Sequence, residues 1–205
     1  MSIEVKNSVK PIDYTDSIEI LENRVNDVIL GKKNELLWIL EHNTVYTAGT
    51  SSNENDLLDK NISIIKTKRG GKYTLHSKGQ KVIYFVLDLN KRGKDIRKLI
   101  SKIENCIINI LSEYNIKSYP DKNNIGIWVD KNEESKKIAA IGLRVRKWIA
   151  YHGFSLNVSN NLSEYKSIIP CGIKDKGITS LQDIGVDKYE NIDKVITEKF
   201  LNSFP

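Results

Sequence analysis

Ile18, Leu21, Val25 and Val28 recur at helical spacing, behind Asp16-Ser17-Ile18-Glu19, which has the form of a capping box. The pattern predicts a helix opening at Asp16 with one apolar face. Leu36 to Leu40 is different: five apolar residues in a row, the signature of a strand buried on both faces. Ile62 to Ile65 reads as another short strand. Lys81 to Leu89, with Val-Ile-Tyr-Phe-Val-Leu at its centre, has the β-branched and aromatic content of a strand.

Ile96, Leu99, Ile103, Ile107, Ile110 and Tyr114 then mark a long amphipathic helix, with Cys106 beside the stripe as a small core residue. Gly126–Val129, Lys137–Ile141 and Phe154–Val158 predict further strands. Ile192, Val195, Ile196 and Phe200 predict a closing helix. Strands crowd the middle and do not alternate regularly with helices. The expected class is therefore α+β, a single domain over residues 1–205 with a mixed, mostly antiparallel sheet packed by helices. A doubly wound nucleotide fold is disfavoured, since neither G-x-G-x-x-G nor a Walker A motif occurs.

Composition narrows the function classes. The chain has 205 residues, 40% hydrophobic and 28% charged, which suits a folded domain with a substantial core. No apolar run reaches membrane-spanning length and the N-terminus lacks a signal core, so the expected address is the cytoplasm. The net charge of +6 comes from lysines interleaved with Asp, Glu and Asn, a solvated surface that would also suit an acidic partner. No basic stripe is interleaved with stacking aromatics, so nucleic acid is not expected as a partner. The three histidines stand apart and the two cysteines form no zinc-type spacing, so neither a metal nor another cofactor is expected.

The chemistry concentrates in four clusters: Glu41–Gly49, Arg69–Gln80, Lys137–Asn157 and Pro170–Ile173. Cys171 follows a proline and precedes a glycine, on a bend where backbone can approach a substrate. Lys137 leads into Ile138-Ala139-Ala140-Ile141-Gly142, where little water is expected. A thiol paired with such an amine would be an activated nucleophile with its own proton carrier. Each residue also has an ordinary reading, Cys171 as a small buried hydrophobe and Lys137 as an exposed strand-edge lysine. Lys136 is adjacent, but strand alternation sends the two lysines to opposite faces.

Taken in series, R-G-G-K-x-T-x-H-x-x-G-Q, K-I-A-A-I-G-x-R-V-R-x-W, Y-H-G-F-x-L-N and I-P-C-G-I make the chain resemble the lipoyl(octanoyl) transferase family, the LipB-type enzymes of protein lipoylation. The resemblance runs from about Tyr14 to Leu181. It implies a fold shared with lipoate and biotin protein ligases, and an octanoyl-[acyl carrier protein]:protein N-octanoyltransferase activity. The donor would be octanoyl-acyl carrier protein. The acceptors would be lipoyl domains of 2-oxoacid dehydrogenase E2 subunits and glycine cleavage H protein. Carried over by motif, Cys171 forms an acyl-thioester and Lys137 lowers its pKa and moves protons. Arg69, Gly70, Gly71, Lys72, Tyr73, Thr74, Leu75 and His76 line the acyl pocket with Ala140, Ile141, Gly142, Gly153, Phe154 and Ser155.

His76 is expected to orient the thioester carbonyl or donate to its oxyanion. His42 and His152 shape the pocket or support it. The family's usual H-G-P-G-Q is His76-Ser77-Lys78-Gly79-Gln80 here, which changes how that loop is held. Three other functions compete: an ATP-dependent lipoate or biotin ligase, a cysteine thioesterase using Cys171 with His76 or His152, and a non-enzymatic acyl-carrier binding module.

Overall fold

The computed structural model describes residues 2–173 and 176–205, with the Cys171 side chain outside the described part. Strands β1 (Ile3–Asn7), β2 (Glu35–Leu40), β6 (Gln80–Asp88), β7 (Tyr119–Pro120), β8 (Ile127–Lys131), β9 (Glu134–Arg146) and β10 (Ile149–Asn157) form one sheet in the order β1-β2-β6-β10-β9-β8-β7. A short β11 (Gly177–Ile178) adds to β9 in parallel, and β1 pairs β2 in parallel. The remaining pairs are antiparallel, so the mixed, mostly antiparallel sheet expected from sequence is present. Strands β3 (Val45–Ala48), β4 (Ile64–Lys66) and β5 (Tyr73–His76) stand apart as a second sheet, where sequence suggested one.

The continuous apolar run of β2 is explained by helices on both faces. Leu37 and Ile39, with Ile83, Phe85 and Leu87 of β6, bury under α2 (Ile96–Ser112) and α3 (Ile192–Ser203). Leu36, Trp38 and Leu40, with Val82, Tyr84 and Val86, bury under α1 (Tyr14–Ile29) through Leu21, Val25 and Val28. Each such large side chain is worth roughly 1.5–3 kcal/mol of apolar burial. Cys106 lies in the first core, fully buried, and burial pushes its thiol up to about 12. That removes it as a nucleophile.

α1 starts earlier than the capping box suggests. Asp13 is its N-cap, its carboxylate accepting from the N–H of Thr15 at 2.7 Å and of Asp16 at 3.2 Å. The signal failed because Tyr14 is buried: the aromatic ring needs the extra turn to reach the core. β9 and β10 are also longer than the apolar pattern implied. They extend to a two-residue hairpin at Lys147 and Trp148, both with left-handed φ (50° and 62°), as a primed turn requires.

The small sheet and the α1 face of the large sheet leave a hollow between them. Gly70 N–H donates to the Leu143 carbonyl at 3.0 Å and closes the loop after β4 onto β9. The altered loop between β5 and β6 is held by a β-turn, Gln80 N–H to the Ser77 carbonyl at 3.1 Å, with Gly79 at φ 81° in its third position. Gly79 N–H also donates to Glu41 Oε2 at 2.8 Å. A Cβ on Gly79 would sit 2.7 Å from the Asn160 nitrogen, so hydrogen bonds and close approach hold this proline-free loop.

Candidate active site

Two strands supply the floor of the hollow. On β10, even-numbered residues Ala150, Phe154 and Leu156 face the α2–α3 core, and odd-numbered Ile149 and Tyr151 face α1. His152 breaks the alternation. Its φ of 68° is left-handed, and its ring lies against Tyr151 (5.1 Å, stacked) and Tyr84 (6.1 Å) on the α1 side. Such backbone strain, roughly 1–3 kcal/mol, tends to be kept where function needs it. The next residue must be glycine, because a Cβ at 153 would lie 1.9 Å from the Ile83 carbonyl oxygen. Gly153 pairs directly with Gly142 of β9, so no side chain stands on the floor there.

The cavity above this floor, with its open mouth included, holds about 520 Å³ of empty space. Every pocket residue named from sequence lines it except Leu75. Leu75 points the other way, into a small core with Tyr73, Tyr165 and Ile168, because neighbours on a strand face opposite sides. Sequence reasoning missed Tyr14, Val82 and Tyr84, and left His152 open; all four line the cavity. Alternation along β6 signals Val82 and Tyr84 together, but no motif marks them. Arg69 is buried and donates to Thr47 Oγ1 (2.7 Å), the Thr47 carbonyl (3.1 Å) and the Gly70 carbonyl (3.0 Å), a brace between the small sheet and the pocket loop.

The histidines form one cluster. His42 and His76 have ring centroids 5.6 Å apart, and Tyr14 stacks on His76 at 6.0 Å. His42 Nδ1 is 2.7 Å from the Ile12 carbonyl, so it donates and leaves Nε2 to accept from Tyr84 Oη at 3.0 Å. Burial lowers all three basicities. His76 falls to about 3 through burial, then His42 and Arg69; His152 falls to about 3 through burial, then Arg69 and Arg144. His42 is lowered mainly by burial. The cavity wall is thus neutral at its imidazoles, which suits an apolar chain.

An unfolded histidine takes a proton near pH 6.5, whereas His76 and His152 folded do not until about pH 3. Below pH 6.5 the unfolded state binds more protons, so stability falls as pH falls through that window. Between pH 8 and 5.5 the two histidines should together remove about 3 kcal/mol. Urea unfolding at the two pH values measures it, and His152→Gln should remove about half the difference. A flat profile would mean that these rings are not held neutral.

Lys137 is buried, 2% exposed, not an exposed edge lysine. Lys136 faces the other way and pairs with Glu134 at 3.3 Å. Lys137 Nζ donates to the Ile125 carbonyl at 2.9 Å and lies 4.9 Å from the centroid of the Trp128 ring. Gly126 makes room for the stem: a Cβ there would be 3.1 Å from Lys137 Cε. Lys176 Nζ also lies over Trp128, at 4.6 Å, and is tied to Asp121 at 2.6 Å.

The backbone of Cys171 lies in a 3₁₀ turn, Pro170–Gly172. Gly172 has φ 67° and a Cβ there would be 2.2 Å from Lys72 Nζ, so this turn packs against the pocket loop. Ile169 N–H donates to the Asp56 carbonyl at 2.7 Å and anchors the turn from the other side. The Cys171 side chain, and so its distance to Lys137, falls outside the described residues. Among the described residues no cluster of His, Cys, Asp and Glu could hold a metal, and no helix is long and apolar enough to cross a membrane.

Comparison with known proteins places this geometry. An octanoyltransferase of Ehrlichia chaffeensis is 45% identical over 205 residues, covering 98% of this chain and 96% of its own. One from Rickettsia bellii is 45% identical over 199 residues, covering 95% of both chains. A putative lipoate protein ligase of T. acidophilum with bound lipoic acid superposes with a TM-score of 0.71 at 16% identity, over 99% of this chain and 86% of that one. A lipoate-protein ligase A bound with ATP gives 0.72 at 14% identity, over 98% and 85%. These last two share the fold, the ligase-type α+β architecture expected from sequence. Residues 13–204 match the family described as the lipoyl protein ligase A/B catalytic domain, and the chain belongs to that family.

Proposed function

We propose that this chain is an acyltransferase of protein lipoylation: it moves an octanoyl group from acyl carrier protein to a lysine of lipoyl domains, through an acyl-thioester on Cys171. The observation that carries the reading is near full-length identity of 40–45% to octanoyltransferases, together with a cavity whose histidines are held neutral and a buried lysine on β9, the strand that supplies Ala140, Ile141 and Gly142 to it. The acceptors would be the lipoyl domains of 2-oxoacid dehydrogenase E2 subunits and the glycine cleavage H protein. We take residues 1–205 as one catalytic domain working in the cytoplasm.

The steps balance with two groups. An ammonium at Lys137 favours the Cys171 thiolate. Sulfur attacks the octanoyl carbonyl, the carrier's sulfur departs, and Lys137 gives it a proton. The acyl chain then rests on Cys171 with Lys137 neutral. The substrate amine attacks that thioester, Cys171 leaves as thiolate, and Lys137 takes the amine's proton. Both groups end as they began, and the amide makes the second half downhill.

The fold neighbours include lipoate ligases, one bound with ATP, which keeps an adenylating reading in view. The Pro170-Cys171-Gly172-Ile173 turn favours transfer, because adenylation needs no thiol. The test is direct. Purified protein, octanoyl-carrier protein and a lipoyl domain are mixed without ATP. Mass spectrometry should show one octanoyl on the domain's lysine. No adduct until ATP and free octanoate are supplied would make the chain a ligase, and free octanoate without adduct would make it a thioesterase.

A further inference from the structure

Beneath the pocket a chain of amides begins at a backbone carbonyl, and a carbonyl can only accept. The Thr179 carbonyl accepts from Asn157 Nδ2 at 2.9 Å. Asn157 Oδ1 therefore faces Gln80 and accepts from Gln80 Nε2 at 2.9 Å. The same Nε2 lies 2.9 Å from Tyr165 Oη and 3.3 Å from the Leu75 carbonyl, again a carbonyl that can only accept. The atom Gln80 turns to His76 is thus Oε1, 2.6 Å from Nδ1. Oxygen accepts, so Nδ1 carries the hydrogen. Gln80, Asn157, Thr179 and His76 are all buried, so water does not substitute for these partners.

A neutral ring with its hydrogen on Nδ1 has a bare lone pair on Nε2. Burial and the nearby Arg69 hold the ring neutral. Among the described residues Nε2 makes no hydrogen bond, and His76 lines the cavity. His76 is therefore wired as an acceptor, and the expected donation to an oxyanion does not fit this wiring. Of the groups that react, the thioester and the thiolate offer only acceptors. The incoming amine brings N–H donors.

Resting on the acyl-transfer reading above, we propose that Gln80 and Asn157 are positioning residues that hold His76 in the Nδ1–H form, and that His76 Nε2 accepts a hydrogen bond from the substrate lysine amine. The bond aims the amine's own lone pair at the acyl carbon, which is an orientation effect. Thr179 N–H donates to the Lys137 carbonyl at 2.9 Å, so one strand segment places both the proton carrier and the far end of this relay.

Long-range ¹H–¹⁵N spectra of histidine-labelled wild-type protein at pH 7, without substrate, read the tautomer directly. His76 should show a protonated Nδ1 and a bare Nε2; a protonated Nε2 overturns the proposal whatever the protein catalyses. Gln80→Ala and Asn157→Ala should release the tautomer. In half-reactions they and His76→Ala should slow transfer from acyl-enzyme to lipoyl domain at least about 10-fold. Acyl-enzyme formation should stay within about 3-fold. Equal slowing of both halves would assign these residues to packing and overturn the positioning role. A wild-type protein that transfers no octanoyl would sink the reaction while leaving the measured tautomer to stand.

Discussion

Cys171→Ala should abolish octanoyl transfer, with kcat falling at least about 10³-fold, as when a covalent nucleophile is removed. Wild type incubated with octanoyl-carrier protein alone should gain one octanoyl, mapping to Cys171 by peptide mass, and the variant should gain none. The fold should survive, because the turn that carries Cys171 is held by backbone contacts, the Ile169 N–H to Asp56 and the Gly172 N–H to the Ile169 carbonyl at 3.0 Å. An unchanged unfolding midpoint in urea checks this. Cys106 serves as an internal control, being fully buried with its thiol pushed up to about 12. An octanoyl found on Cys106, or on neither cysteine, would remove the covalent mechanism.

What the sequence made legible, and what it did not, follows from how each residue meets its neighbours. β2 and β6 were readable because helices cover both faces and the apolar run is continuous. β3 and β5 escaped notice because their residues serve the pocket: Thr47 holds Arg69, and Thr74 and His76 turn toward the cavity. A strand whose polar residues are spent on a site loses its alternation. The second sheet was invisible for the same reason. β11 is two residues long and gains its meaning only from pairing with Lys136 and Lys137.

The pocket itself was mostly legible through motifs, since glycine positions such as Gly142 and Gly153 record close approach. Leu75 was misplaced because a motif is a string while a strand has two sides. The left-handed His152 carries no signal in its own identity. Only the glycine after it hints that the strand turns there. The His76–Gln80–Asn157 relay joins side chains from β5, β6 and β10, with Asn157 77 residues and Tyr165 85 residues from Gln80 along the chain, and no local window contains it.

Lys137→Met should cost about 10²- to 10⁴-fold in overall transfer, the usual worth of a positioned acid–base group. Methionine keeps the stem against Gly126 and Trp128, so the effect isolates the charge rather than a cavity. Two functions are lost together: the ammonium that favours the thiolate, and the amine that takes the second proton. Alkylation rate against pH separates the first, since the apparent thiol pKa should rise toward the ordinary value of about 8.5 or beyond. Lys137→Arg separates the second. Arginine keeps the positive charge but does not give up its proton, so it can support attack by sulfur, with the carrier's sulfur leaving as a thiolate that takes its proton from water, and it cannot accept from the incoming amine. The acyl-enzyme should therefore form and accumulate in Lys137→Arg, with octanoyl-Cys171 visible by intact mass while the lipoyl domain stays unmodified. An unmoved thiol pKa in Lys137→Met would mean another cation activates the sulfur, and Lys72, whose stem packs on Gly172, would be the residue to test in its place.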